Sequence, residues 1–252
     1  MNTITLNKDK IHEGNLILVN AEYPILRDEH TFLSPAVKEY PNILLRRNAA
    51  NLLQLVLQKI SAGTSIVPVS GWRSSEEQTE IYRDSLAENG EDFTRKFVAL
   101  PNHSEHQTGL AIDLGLYSDE IDFIRPDFPH DGICDIFRKT ATGCGFIERY
   151  AEDKEAITGI AYEPWHFRYV GFPHSEIMEE RNLSLEEYTE FIKAYTVKHP
   201  FICKGGRIEI AYVPAADNRT EITLPEHTSY QISGNNVDGF IVTVWRDANE
   251  RE

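Results

Sequence analysis

Residues 42–60 read NILLRRNAANLLQLVLQKI, and Leu45, Ala49, Leu52, Leu53, Val56, Leu57 and Ile60 recur there at helical spacing. That spacing lays one apolar stripe along a helix, and the stripe has to be covered by another layer. Gly63 closes the run. The stretch that follows, SIVPVSGWRS, begins as a short apolar run of strand length. A covered helix beside a buried strand restricts the chain to folds in which helices pack on a sheet.

The remaining texture is mixed. SSEEQTEIYRDSLAEN predicts a second helix with a serine cap followed by acids. TGLAIDLGLY alternates as a strand does, and DGICDIFRKTATGCGF predicts a short helix ending at Gly143 or Gly145. YEPWHFRYVG is an aromatic strand interrupted by proline, and HSEIMEERNLSLEEYTEFIKAY supplies one or two helices. Near the start, GNLILVNAEYPI predicts an early strand with an extended arm, and residues 90–102 a polar loop or lid. There is no regular βαβ alternation and no repeat, so the expected class is α+β. After Pro200 the pattern becomes short alternating strands with turn clusters such as AADN and SGNNVDG. The expected organisation is a main domain over residues 1–199 and a small β unit of three or four strands over residues 200–252.

Composition narrows the partners. Forty acids against 25 bases give a net charge of -15, which repels a phosphate backbone and argues against nucleic acid. No apolar run approaches the roughly 18 residues of a membrane span. The N-terminus lacks the pattern of a signal peptide. Cys134, Cys144 and Cys203 are too few and scattered for a disulfide framework. The expected compartment is the cytoplasm.

Three stretches carry residues suited to chemistry. NHSEHQTGLAID places His106 and Asp113 seven apart around Gly109, whose backbone freedom allows both to turn inward. A catalytic zinc takes three protein ligands from His, Asp or Glu and leaves one position open. The pair is also compatible with an ordinary polar loop and strand. YEPWHFRY sets Glu163 three residues before His166, with Pro164 and Trp165 between them. This is either a cross-strand polar pair or a metal ligand with a base that works on metal-bound water. SGWRSSEEQTEIY puts Arg73 at the end of a buried strand, where it caps a helix, pairs with an acid or grips an oxyanion by its fork.

Together, SGWRSSEEQTEIY, the Ser-x-His-x-x-Gly-x-Ala-x-Asp pattern of SEHQTGLAID, and GFIERYAEDKEAITGIAYEPWHFRYVG resemble the zinc-dependent D-alanyl-D-alanine metallopeptidases of the VanY/VanXY type, associated with glycopeptide (vancomycin-type) resistance. The likeness spans roughly residues 15–175. It implies a small central antiparallel sheet flanked by helices and holding one zinc, with His106, Asp113 and His166 as ligands. Glu163 matches the catalytic base, and Arg73 the arginine that orients substrate and stabilises the oxyanion. Ser104, Gln78, Tyr150 and Trp165 fall at substrate-site positions, while His103, Glu105 and His174 match no ligand position and are expected at the surface or behind the ligands. Trp72 stands where tyrosine is common, and Ala151 where proline often follows.

The implied activity is hydrolysis of D-Ala-D-Ala, removal of the terminal D-Ala from a muramyl peptide precursor, or both. An L,D-carboxypeptidase of peptidoglycan recycling and a non-catalytic zinc-containing module that binds wall peptides are the alternatives. Glu163 separates the module from the enzymes, because a binding protein has no use for a base.

Overall fold

The computed structural model describes residues 2–26 and 32–246. The chain groups into two compact units, Val19–Ser184 and Met1–Leu18 with Leu185–Glu252. The division therefore runs at Ser184, ahead of the change in texture at Pro200, and it gives the first residues to the smaller unit. Strand β1 (Asn2–Asn7) belongs to that smaller unit.

In the larger unit a ribbon of β2 (Leu33–Pro35) and β3 (Leu44–Arg46) runs into helix α1 (Arg47–Lys59). The helix starts later than its apolar spacing predicts. Leu44 and Leu45 pair with Pro35 and Ser34 instead, a tertiary contact that overrides the helical pattern. From Ala49 onward the stripe holds, with Ala49, Ala50, Leu53 and Val56 fully covered. Next come β4 (Ile66–Ser70), α2 (Ser75–Asn89), α3 (Glu91–Phe97), β5 (Ala111–Leu116), α4 (Gly132–Thr142) and β6 (Phe146–Tyr150). The unit closes with α5 (Glu155–Thr158), β7 (Glu163–Tyr169) and α6 (His174–Arg181).

Strands β4, β5, β7 and β6, in that order, form one antiparallel sheet. Helix α2 begins at a capping box: Glu77 N–H donates to Ser74 Oγ at 3.1 Å, and Ser74 N–H to Glu77 Oε2 at 2.8 Å. The polar stretch expected to be loop contains α3, because Thr94 is buried there and meets Ser85 of α2 at 2.8 Å. One core holds the sheet to its helices. Phe137 of α4 stacks edge-on against Phe128 and Phe167, with ring centres 5.7 and 5.0 Å away.

The smaller unit contains α7 (Leu185–Ile192), β8 (Phe201–Cys203), β9 (Ile208–Pro214), β10 (Arg219–Leu224), β11 (Ser229–Gly234) and β12 (Gly239–Trp245). β11, β12, β9 and β8 make a four-stranded antiparallel sheet, while β10 pairs antiparallel with β1. Ile11, Ile222, Leu224, Phe240, Val242 and Val244 form its core. The early strand expected around residues 14–25 is absent. Leu16, Ile17 and Leu18 are buried, but Leu16 N–H donates to Ser233 Oγ and Leu18 N–H to Asn235 O without a ladder. Among the described residues no helix is long and apolar enough to cross a membrane.

Candidate active site

Antiparallel pairing of β5 with β7 sets Asp113 directly opposite His166. His106 reaches the same place from a one-turn segment, Glu105–Thr108, that ends at Gly109 in the left-handed region (φ 68°). A Cβ at Gly109 would also lie tightly, 3.0 Å from Leu33 Cδ2 and 3.2 Å from Arg46 Cγ, but it is the left-handed backbone that calls for glycine. His106 Nδ1 lies 2.7 Å from the Gly71 carbonyl, which can only accept, so Nδ1 carries the proton. Nε2 is thereby turned toward Asp113 Oδ2, 3.1 Å away. His166 presents Nδ1 to Asp113 Oδ1 at 2.9 Å and Nε2 to Glu105 Oε2 at 3.5 Å.

Side chains three apart on a regular strand point to opposite faces. Glu163 and His166 escape that rule through a bulge. Glu148 pairs with Phe167, but Tyr150 pairs with Glu163, so the register slips across Pro164 and Trp165. Glu163 Oε2 consequently lies 3.8 Å from His166 Nδ1. The Tyr150 ring sits 4.9 Å from the His166 ring, and Tyr150 and Trp165 are both buried.

Arg73 is held in place from three sides. It donates from Nη2 to Asp113 Oδ2 at 3.2 Å, from Nε to Ser70 Oγ at 2.9 Å and from Nη1 to Gln78 Oε1 at 3.4 Å. Gln78 uses its other end to donate to Ala99 O at 2.8 Å. Arg73, Gln78, Ser104, Tyr150, Glu163 and Trp165 line one cleft of about 470 Å³ with the two histidines and Asp113. The structure thus brings every site residue expected from sequence into one place.

Of the residues expected at the surface or behind the donors, Glu105 stands behind His166 and is buried, His174 is buried, and His103 lies partly open with Nδ1 on Asn20 O at 2.7 Å. Sequence reading missed the partners of Glu105. Glu105 Oε1 accepts from Arg149 Nε at 2.8 Å and from Arg168 Nη1 at 2.7 Å, with all three side chains fully covered. The signal was present in FIERY and HFRY: an arginine inside an otherwise apolar strand requires a buried partner.

The charges are strongly coupled. Burial would raise the Glu105 carboxyl, but Arg149, Arg168 and His166 outweigh it and hold the group well below the usual carboxylate range. Asp113 is likewise held low, against its burial, by His106 and His166. Burial pushes Glu163 up to about 8, with Asp113 adding to the rise and His166 and Arg73 opposing it. His106 is lowered by burial and then by Arg73. His166 is also disfavoured by burial, yet Asp113 and Glu105 push it up to about 9. A positive charge at His166 Nδ1, whether proton or metal, is what this surround favours.

His106, Asp113 and His166 offer ligand atoms that all lie within 4.8 Å of one another. Nitrogen and oxygen donors of this kind suit zinc, whose bonds of about 2.0–2.2 Å fit inside that spacing. Each histidine has its other nitrogen fixed, by the Gly71 carbonyl or the Glu105 carboxylate, as metal-binding histidines almost always do. The residues present fit the ion.

Comparison with known proteins agrees with this geometry. The family described as VanY, D-alanyl-D-alanine carboxypeptidase, matches residues 42–172. The bifunctional D-Ala-D-Ala dipeptidase and D-Ala-D-Ala carboxypeptidase VanXYC of Enterococcus gallinarum is 41% identical over 73% of this chain and 98% of its own length. The crystal structure of the vancomycin resistance D,D-dipeptidase VanXYg, in complex with a D-Ala-D-Ala phosphinate analogue, superposes with a TM-score of 0.96 at 63% identity, covering 97% of this chain and 99% of that one. A variant of the vancomycin resistance D,D-pentapeptidase VanY, in complex with Zn(II), matches at 30% identity and a TM-score of 0.58 over 70% of this chain and 99% of that one. The chain belongs to the VanY family of D-alanyl-D-alanine carboxypeptidases.

Proposed function

We propose that the chain is a zinc-dependent D,D-peptidase of glycopeptide resistance, releasing D-alanine from D-Ala-D-Ala, from the D-Ala terminus of a peptidoglycan precursor peptide, or from both. The observation that carries the reading is Glu163 in the same cleft as the three-residue donor set, 3.8 Å from His166. The 63% identity to VanXYg over nearly the whole chain supports the substrate class.

In this reading His106, Asp113 and His166 hold the zinc. When bound, the ion supplies Lewis acidity to the scissile carbonyl and acidifies the attacking water. The Glu163 carboxylate takes a proton from that water and returns it to the amine nitrogen of the departing D-alanine. Its burial, which raises its affinity for a proton, suits both halves of the task. Arg73 directs N–H donors at the developing oxyanion. Gln78 has both ends of its amide engaged, on Arg73 and on Ala99, so its share in substrate binding is to set Arg73. In the same reading Ser104, which lines the cleft, holds the terminal carboxylate, and the buried Tyr150 and Trp165 wall the cleft against water. Cys134, Cys144 and Cys203, too few and scattered in the sequence for a disulfide framework, accord with a cytoplasmic setting.

The test is D-alanine release by zinc-loaded protein from three substrates. These are D-Ala-D-Ala, a precursor pentapeptide ending in D-Ala-D-Ala, and a tetrapeptide whose terminal D-Ala follows an L-centre. Hydrolysis of the first, the second or both is expected, with the tetrapeptide left intact. Cleavage of the tetrapeptide alone would make the protein an L,D-carboxypeptidase.

A further inference from the structure

We infer that Arg138, on α4 and outside the cleft, is a positioning residue for Glu163: its guanidinium grips the β7 bulge that turns Glu163 onto the side of His166. The inference rests on the reading of Glu163 as the base. Pro164, at the bulge, has no N–H with which to join a ladder, so its carbonyl is the handle available. Arg138 Nη2 donates to Pro164 O at 2.8 Å and to Phe128 O at 2.6 Å, and Nη1 donates to Pro129 O at 2.6 Å. Nε donates to Glu148 Oε2 at 2.5 Å. Glu148 pairs with Phe167 on the last regular rung of β6 and β7 before the register slips. The fork therefore bridges both strands at the slip and adds the backbone at Phe128 and Pro129.

The surroundings fix the guanidinium in turn. Its side chain is 11% exposed, and its centre lies 4.9 Å from the Phe128 ring and 5.9 Å from the ring of Phe167, the residue after His166. A lysine at this position would keep the charge but could not engage three carbonyls and a carboxylate at these angles. What the fork secures is the spacing between Glu163 and His166. Displacement of a reacting group by about 1 Å costs roughly 100-fold in rate.

The experiment compares zinc-loaded full-length wild type, Arg138→Lys and Glu148→Gln. It measures kcat and KM for D-Ala-D-Ala, zinc per chain, and thermal unfolding to confirm that each variant is folded at the assay temperature. Arg138→Lys should lower kcat by about 10- to 100-fold with KM within about two-fold and the zinc retained. Glu148→Gln should move kcat in the same direction by less. A folded, zinc-loaded Arg138→Lys with wild-type kcat overturns the inference, as does a loss confined to KM or explained by lost zinc. Should Arg138→Lys not fold, Glu148→Gln decides, and wild-type kcat in that variant overturns it. An inactive wild type refutes the peptidase reading and this inference with it, whereas an active wild type beside an indifferent Arg138→Lys refutes only the inference.

Discussion

The two units bury different chemistry. In Val19–Ser184 the covered side chains include Glu105, His106, Asp113, Arg149, Glu163, His166 and Arg168. In the smaller unit the covered polar side chains, among the described residues, are Thr189, Thr220, Ser233, Asn235, Asn236 and Thr243, with no charged group. Neutral hydroxyls and amides satisfy themselves on neighbouring backbone; Asn236, for example, donates to Leu18 O at 2.8 Å. Buried charges are costly even when paired, and a well-packed apolar substitute is often as stable or more so. A fold that concentrates them in one sheet while keeping its other core apolar accepts that cost for chemistry. The larger unit is built around its site, and the smaller one around its packing.

That contrast can be broken in graded steps. His166→Ala should abolish both zinc binding and D-alanine release, read by metal analysis of the purified protein, while His103→Ala leaves the zinc in place. Arg73→Lys should keep the metal but lower kcat by about 100- to 1000-fold, the usual cost of a lost oxyanion donor. Glu105→Gln leaves Arg149 and Arg168 facing a neutral amide and loosens the hold on His166 Nε2. Chelator competition should show zinc bound about 10- to 100-fold more weakly. Denaturant unfolding of the same variant should show a loss of about 3–5 kcal/mol. In the smaller unit, Ile210→Val should cost only about 0.5–1.5 kcal/mol in denaturant unfolding. It should also leave kcat and zinc affinity unchanged; a change in either would dissolve the distinction between the units.

Each motif alone left an ordinary structural reading open, but the candidate donors His106, Asp113 and His166, with Glu163 beside them, were legible through the resemblance that their three motifs carry together. Glu105 was not, although it adjoins His106. Its role depends on Arg149 and Arg168, which only strand pairing brings to it. Arg138 was hidden for the same reason, since its four acceptors lie on Phe128, Pro129, Glu148 and Pro164. In the fold, the α1 stripe and the α2 cap were readable because both are local. The pairing of β1 with β10, Asn2 opposite Leu224, joins opposite ends of the chain and leaves no local pattern. Residues 14–25 alternate like a strand, yet the backbone N–H groups of Leu16 and Leu18 go to single acceptors on Ser233 and Asn235 rather than to a ladder.

The most direct test of the account sets zinc-loaded Glu163→Gln against wild type on D-Ala-D-Ala, with zinc measured in both. The account predicts equal zinc and a fall in kcat of about 100- to 10,000-fold, the range a positioned base contributes. Wild-type release of D-alanine by the glutamine variant would contradict it.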